Sequence, residues 1–246
     1  MSETVRLDKL LSNMGYGSRK DVGRFIKDGL VEVCGRVAAD GGEKVQPDWV
    51  EIVFNGRRVV YKKYVYLMMN KPEGIVTAAE DAHGERTFMD LIGSEYLHFE
   101  LSAAGRLDKD TEGFLLLTND GEFIHNIISP AKHVIKEYYA EVAGRLDSRA
   151  VEAFENGIEL ADGYKCMPAG LEILAVDPEN MRTKVLVQIC EGKYHQVKRM
   201  FHALGAEVAY LKRLSIGGVI LDEKLKPGEY RELTGSELEV LKNGNE

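Results

Sequence analysis

Cysteine is scarce in this chain: Cys34, Cys166 and Cys190 are its 3 copies in 246 residues, and they stand far apart. Widely spaced thiols, odd in number, build neither a disulfide framework nor a zinc cluster. The expectation is a reducing, cytoplasmic setting in which they act as small buried hydrophobes. Long apolar runs are missing too. None approaches the ~20 residues needed to cross a bilayer, and no signal-peptide core follows Met1, so no membrane partner is expected. There is no solenoid-period repeat and no low-complexity tract. The 6 histidines show no metal-ligand spacing, so no metal is expected. An excess of positive charge is also absent. A net charge of −8 argues against indiscriminate binding of nucleic acid.

What the chain does contain is an ordinary globular balance, with 44% hydrophobic and 29% charged residues, enough for one large or two modest domains. The positive charge is concentrated. Between Gly192 and Leu214, Lys193, Lys198, Arg199, Lys212 and Arg213 face one acid, Glu207, with His195 and His202 beside them. The first thirty residues carry a smaller basic excess. Two basic islands on an acidic protein suit focused contact with an anion such as a phosphate backbone, or two solvated helix faces.

Residues 1–60 read as a small domain and 61–246 as a second. Leu7, Leu10 and Leu11 have helical spacing, and Ser18 with Asp21 forms a capping box for a helix ending near Gly29. Short strands follow at residues 30–33 and 50–54, with Cys34-Gly35-Arg36 a tight turn and the polar stretch from Asn55 to Lys63 a linker. Beyond it, strands are expected from Val65, at Glu137–Ala143, Leu171–Val176 and Lys184–Ile189, with helices from about His195 to Leu204 and after Thr234. Strands and helices alternate without regular βαβ spacing. The fold class is therefore α+β, with a mixed, largely antiparallel sheet flanked by helices.

The segment Ala104-Gly105-Arg106-Leu107-Asp108-Lys109-Asp110-Thr111-Glu112-Gly113 stands out. It is an acidic, glycine-bounded loop ahead of an apolar run, Phe114 to Leu117, and an Asp120-Gly121 turn. Such a loop can hold one carboxylate on a rigid shelf with room for close substrate approach. It also imitates the start of a calcium loop, but the twelfth position is Asn119 rather than a bidentate Glu, and the plain alternative is a solvated acidic turn. Gly144-Arg145-Leu146-Asp147 repeats the four letters and reads as a structural helix start with Ser148 as N-cap.

Val5 to Leu11, Gly17-Ser18-Arg19-Lys20 and Leu30 to Gly35 together resemble the alpha-L RNA-binding module. The resemblance implies RNA contacts from Arg6, Lys9, Ser18, Arg19, Lys20 and Arg24, gripping backbone by charge and shape. Three further segments resemble the pseudouridine synthases: Asn70-Lys71-Pro72-Glu73-Gly74, Gly105 to Gly113, and Glu191-Gly192-Lys193-Tyr194-His195-Gln196-Val197-Lys198-Arg199-Met200-Phe201. Lys136-Glu137-Tyr138 fits that family's basic-x-tyrosine motif. The likeness is to the branch acting on ribosomal RNA, and Tyr194 to Met200 is closer to its small-subunit enzymes than to large-subunit relatives, which tend to carry Asn-Arg-Gln there.

The resemblance implies a cofactor-free isomerase that converts a specific uridine of small-subunit ribosomal RNA to pseudouridine. A large-subunit target and a non-catalytic assembly factor are the alternatives. It further implies ribosomal RNA or a partly assembled subunit as partner, and a monomer. Asp108 would be the essential carboxylate, as nucleophile or as base, ionised in a pocket that excludes water and opposed by Lys198. Tyr138 would stack on the uracil, and Arg106 would fill the gap left by the extruded base or pair with Asp110 or Glu112. Lys71, Gln196 and Arg199 complete the expected substrate-binding set, with Lys71 and Pro72 shaping the pocket and His195 supporting the basic helix.

Overall fold

The computed structural model describes residues 4–177 and 179–244. Its contacts divide the chain into two units: Met1–Val65 with Gly93–Glu100, and Tyr66–Ile92 with Leu101–Glu246.

In the first unit, helices α1 (Leu7–Asn13) and α2 (Arg19–Lys27) bury Leu7, Leu10, Leu11, Val22 and Ile26 against Val31, Val33 and Ile52. The capping box expected at Ser18 forms: its hydroxyl accepts from Asp21 N–H at 3.2 Å, while the Asp21 carboxylate accepts from Ser18 N–H at the same distance. Strand Val31–Val33 pairs antiparallel with Arg36–Val37 and with Ile52–Phe54. The last strand begins at Ile52 rather than Val50, because Val50 N–H is drawn back to the Gln46 carbonyl in a turn.

The presumed linker is partly structure. Asn55 and Gly56, at φ of 47° and 74°, make a two-residue turn that returns Arg57–Arg58 against Val53 and Phe54. An Asn-Gly pair between strands favours this mirror-image turn. Cys34, at φ 49° in the companion turn with Gly35, is exposed, contrary to the expected burial of all three thiols; a hairpin tip turns its side chain outward.

The second unit is built on one long sheet: β1 (Tyr66–Lys71), β2 (Glu112–Thr118), β3 (Lys136–Ala143), β4 (Gly170–Asp177), β5 (Arg182–Ile189), β6 (Glu207–Ile216) and β7 (Tyr230–Glu232). Their order is β4-β5-β3-β6-β2-β1-β7, and the sheet is antiparallel except where β6 meets β2. This is the mixed, largely antiparallel α+β arrangement read from the sequence. Phe114 to Leu117 are fully buried, as a central strand covered on both faces requires.

The parallel junction depends on Gly113. It lies at φ 101°, and a Cβ there would stand 2.3 Å from the Arg213 carbonyl oxygen. Only glycine fits both the conformation and the space.

Helices α3 (Gly121–Ile128), α4 (Ser148–Asn156), α5 (Gln196–Ala203) and α6 (Gly235–Asn243) complete the unit. Two sequence expectations change. Asp120-Gly121 starts α3 rather than merely turning the chain, with the Asp120 carboxylate accepting from Phe123 N–H at 3.1 Å. At the second Gly-Arg-Leu-Asp copy, Asp147 is the N-cap and Ser148 the first helical residue. An ionised carboxylate at a helix N-terminus gains from the dipole as well as the hydrogen bond, which favours it over the hydroxyl. The copy is structural, as expected.

Candidate active site

Lys71, at the end of β1, shapes the acidic loop from below. It is fully buried, and its ammonium donates to the carbonyls of Pro72 (3.0 Å), Asp108 (3.1 Å), Lys109 (3.3 Å) and Thr111 (2.8 Å). Thr77 adds a reciprocal pair with Leu107, donating to its carbonyl at 2.7 Å and accepting from its N–H at 3.2 Å. Gly74 N–H holds the Lys109 carbonyl at 2.8 Å. Burial pushes the Lys71 amine down to about 8, against the pull of Asp110, Asp108, Glu112 and Glu73. Its donors are all spent on backbone, so Lys71 cannot meet substrate as the binding role required. It braces the loop.

On that brace the Asp108 side chain meets α5. Its Oδ2 lies 3.1 Å from Lys198 Nζ and its Oδ1 lies 3.4 Å from His195 Nε2. Lys198 also binds Asp110 at 2.5 Å, so one ammonium joins two carboxylates. Burial works against the Lys198 charge, yet the hydrogen bonds it donates to Asp110 and Asp108 hold its pKa above the ordinary lysine value. Asp110 is likewise kept below the usual carboxylate range: burial would raise it, and Lys198 prevails. The Asp108 side chain is 25% exposed and that of Lys198 23%, so the carboxylate keeps an open side through which a substrate can reach it.

His195 is the residue that sequence reasoning undervalued. At φ 49° it takes a left-handed conformation just before α5, so the helix begins at Gln196. The ring is thereby brought to Asp108 instead of merely supporting the helix. A non-glycine residue in that conformation costs energy and is over-represented at functional positions, but nothing in a single sequence announces it.

Gln196 does not belong to a substrate surface. It is buried, its Oε1 accepts from Lys193 N–H at 2.8 Å, and its Nε2 donates to Glu191 at 2.6 Å. Glu191, also buried, accepts as well from Tyr164 hydroxyl (2.6 Å) and Met167 N–H (2.9 Å). The Gln196 amide locks the loop before α5, and its burial keeps it from the surface that a ligand would meet. Arg199 is tied to Asp162 at 2.6 Å, on the partly exposed side of the helix.

Tyr138 is buried on β3, directly opposite Arg213 of β6, and its neighbour Tyr139 points the other way. Arg213 donates to the Phe114 carbonyl at 2.7 Å and lies 3.4 Å from the Tyr138 hydroxyl. Among the described residues its Nη2 and the Nζ of Lys136 find no hydrogen-bond partner, though both are buried. Burial, then the nearby Arg213 charge, pushes Lys136 down to about 8. Arg106 is exposed, and among the described residues it makes no ion pair, so the proposed pairing with Asp110 or Glu112 does not form. Asp110 is held by Lys198, and Glu112 accepts from the Tyr210 hydroxyl.

In the first unit Arg6 and Arg19 both bind Asp8 at 2.9 Å, holding its carboxyl well below the usual range. Arg24 pairs with Asp21, and Lys9 and Lys20 are exposed. The Ser18 hydroxyl serves the helix cap. Among the described residues no group of three or more His, Cys, Asp or Glu could hold a metal ion.

A carboxylate clamped by its backbone and flanked by a lysine and an imidazole defines a site for carboxylate chemistry on a ligand that approaches from solvent. The chain matches the family described as RNA pseudouridylate synthase over residues 65–203, and the S4 domain over residues 5–48. It is 50% identical to an uncharacterized RNA pseudouridine synthase of Bacillus subtilis, over 96% of this chain and 98% of that one. It is 40% identical to ribosomal small subunit pseudouridine synthase A of Vibrio cholerae, over 95% and 98%. Ribosomal large subunit pseudouridine synthase B of Bacillus subtilis is 37% identical, over 96% and 95%. A crystal structure of a pseudouridylate synthase superposes with a TM-score of 0.66 at 37% identity, covering 96% of this chain and 99% of that one. The chain belongs to the RNA pseudouridylate synthase family, and is thus an isomerase acting on RNA.

Proposed function

We propose that this enzyme isomerises a uridine of ribosomal RNA, in the small subunit, with Asp108 as the reacting carboxylate. The observation that carries the reading is the seat of Asp108 between Lys198 at 3.1 Å and His195 at 3.4 Å. The reaction breaks the bond between uracil N1 and ribose C1′ and forms one between C5 and C1′. The C5 proton leaves and N1 gains one, so nothing is oxidised or reduced.

Asp108 begins cleavage as nucleophile or base, and either role needs it ionised. Lys198 supplies the opposing charge. His195, when protonated, would add a second cation. Tyr138 stacks on the detached ring during its turn, and Arg106, unpaired and exposed, is free to occupy the gap in the RNA stack. Residues 1–60 act as the RNA-binding domain, presenting Arg6, Lys9, Arg19, Lys20 and Arg24 to the phosphate backbone, and 61–246 as the catalytic domain.

Support for the small subunit comes from the Tyr194 to Met200 wording. Asp108→Asn, assayed by tritium release from uridine-labelled ribosomal RNA, should lose turnover while still binding RNA. Retained turnover rejects the assignment. Pseudouridine maps of both subunit RNAs, with and without the gene, should differ at a small-subunit position. A difference confined to the large subunit keeps the chemistry and changes the substrate.

A further inference from the structure

Tyr194 is 76% exposed, although it adjoins the left-handed His195 at the start of a half-buried helix. Its ring lies flat on His195, with centroids 3.8 Å apart and planes 17° from parallel. The edge of that imidazole carries the Nε2 that meets Asp108 Oδ1 at 3.4 Å. One face of the phenol is therefore covered by the imidazole, and the ring still offers a broad accessible surface to solvent. The layers start at the carboxylate.

We propose that Tyr194 and His195 form a stacking platform for the nucleobase beside the target uridine. The inference rests on the reading of Asp108 as the reacting carboxylate of an RNA isomerase. When the target base leaves its stack, the adjacent base loses a partner, and an aromatic face held next to the reacting site replaces it. Stacking is tolerant of base identity, so this contact positions the strand without reading its sequence. Arg199 Nη1 reaches the Tyr194 carbonyl at 3.4 Å while its Nη2 pairs with Asp162, so the arginine holds the backbone that carries the ring. A tyrosine serving only as solvated surface has no need of a coplanar imidazole or of the left-handed backbone that supplies it.

Tyr194→Ala and Tyr194→Phe are assayed on unmodified, transcribed small-subunit RNA by tritium release. The alanine variant should raise KM for RNA by about tenfold or more and leave kcat within about twofold, whereas phenylalanine should keep the KM of the parent, because stacking uses the ring face and not the hydroxyl. In the unaltered enzyme, ultraviolet irradiation with the same RNA should attach a nucleotide to the peptide containing Tyr194, located by mass spectrometry after nuclease digestion. That readout needs no variant to fold.

An alanine variant with the KM of the parent, equal damage from alanine and phenylalanine, or no nucleotide on Tyr194 overturns the platform. Turnover lost in Asp108→Asn with an unaffected Tyr194→Ala leaves the reaction assigned and removes only the platform. Turnover kept in Asp108→Asn removes the reading beneath it.

Discussion

Asp108 and Lys198 are ninety residues apart in sequence and 3.1 Å apart in space, and the same Lys198 ammonium also holds Asp110. The lysine thus neutralises two acids that would otherwise repel one another. Removing either acid leaves it a partner; removing the lysine leaves two carboxylates facing each other. That asymmetry orders the variants.

Lys198→Met should lower turnover by about 100-fold, because a carboxylate stripped of its cation tends to protonate or reorient. Lys198→Arg should recover part of the loss, and Asp110→Asn should cost about tenfold or less, since Lys198 then serves Asp108 alone. Tritium release under saturating RNA reads all three. Equal damage from Asp110→Asn and Lys198→Met would show that the two acids act as a unit.

Gly113→Ala should destabilise the protein by about 2–4 kcal/mol, combining a positive-φ penalty with a backbone collision across the parallel β2–β6 junction. Gly23 is the contrast. It sits inside α2 with open space where a Cβ would go, so Gly23→Ala should stabilise its helix by about 0.5–1 kcal/mol. Urea midpoints of the two variants decide the matter, and shifts of the same sign would contradict the geometry.

Lys71 and Lys136 are both pushed down to about 8 by burial, yet their replacement should have opposite effects. Lys71→Met removes the donor shared by four backbone carbonyls and should destabilise the protein by about 2–4 kcal/mol, with turnover lost as the Asp108 loop slackens. Lys136→Met removes a buried ammonium that finds no hydrogen-bond partner among the described residues, and should stabilise by about 2–3 kcal/mol at neutral pH.

The pH dependence of that gain has a definite sign. Between pH 8 and 10.5 the unfolded Lys136 keeps its proton and the folded one sheds it, so the parent protein gains stability as pH rises through that window. The advantage of Lys136→Met is therefore complete below pH 8 and gone above 10.5. A difference in urea midpoint that is flat across the window would mean that folding leaves the proton affinity of Lys136 unchanged.

Much of this architecture is written locally. The Ser18–Asp21 and Thr234–Glu237 boxes cap the helices that their spacing announces, because capping acts within four residues. The alternating strands at 136–143 and 182–189 occur where side-chain period predicts them. The Asn55-Gly56 hairpin was equally local and lay hidden inside a stretch that composition made look like a linker.

Lys71, Gln196 and His195 were of another kind. A lysine or glutamine in a motif looks the same whether it faces a ligand or donates to main chain, since the difference lies in which acceptors surround it. The sequence by itself determined that there would be an acidic loop before a buried strand, a basic helix near residue 198 and the capped helices, because periodicity and short-range hydrogen bonding act over a few residues. Only the tertiary structure decided that Lys198 and His195 would both meet Asp108, that Lys71 would turn inward, and that Gly113 would admit Arg213. Each of those depends on strands and helices distant in sequence approaching within a few ångströms, where desolvation and steric fit set the outcome.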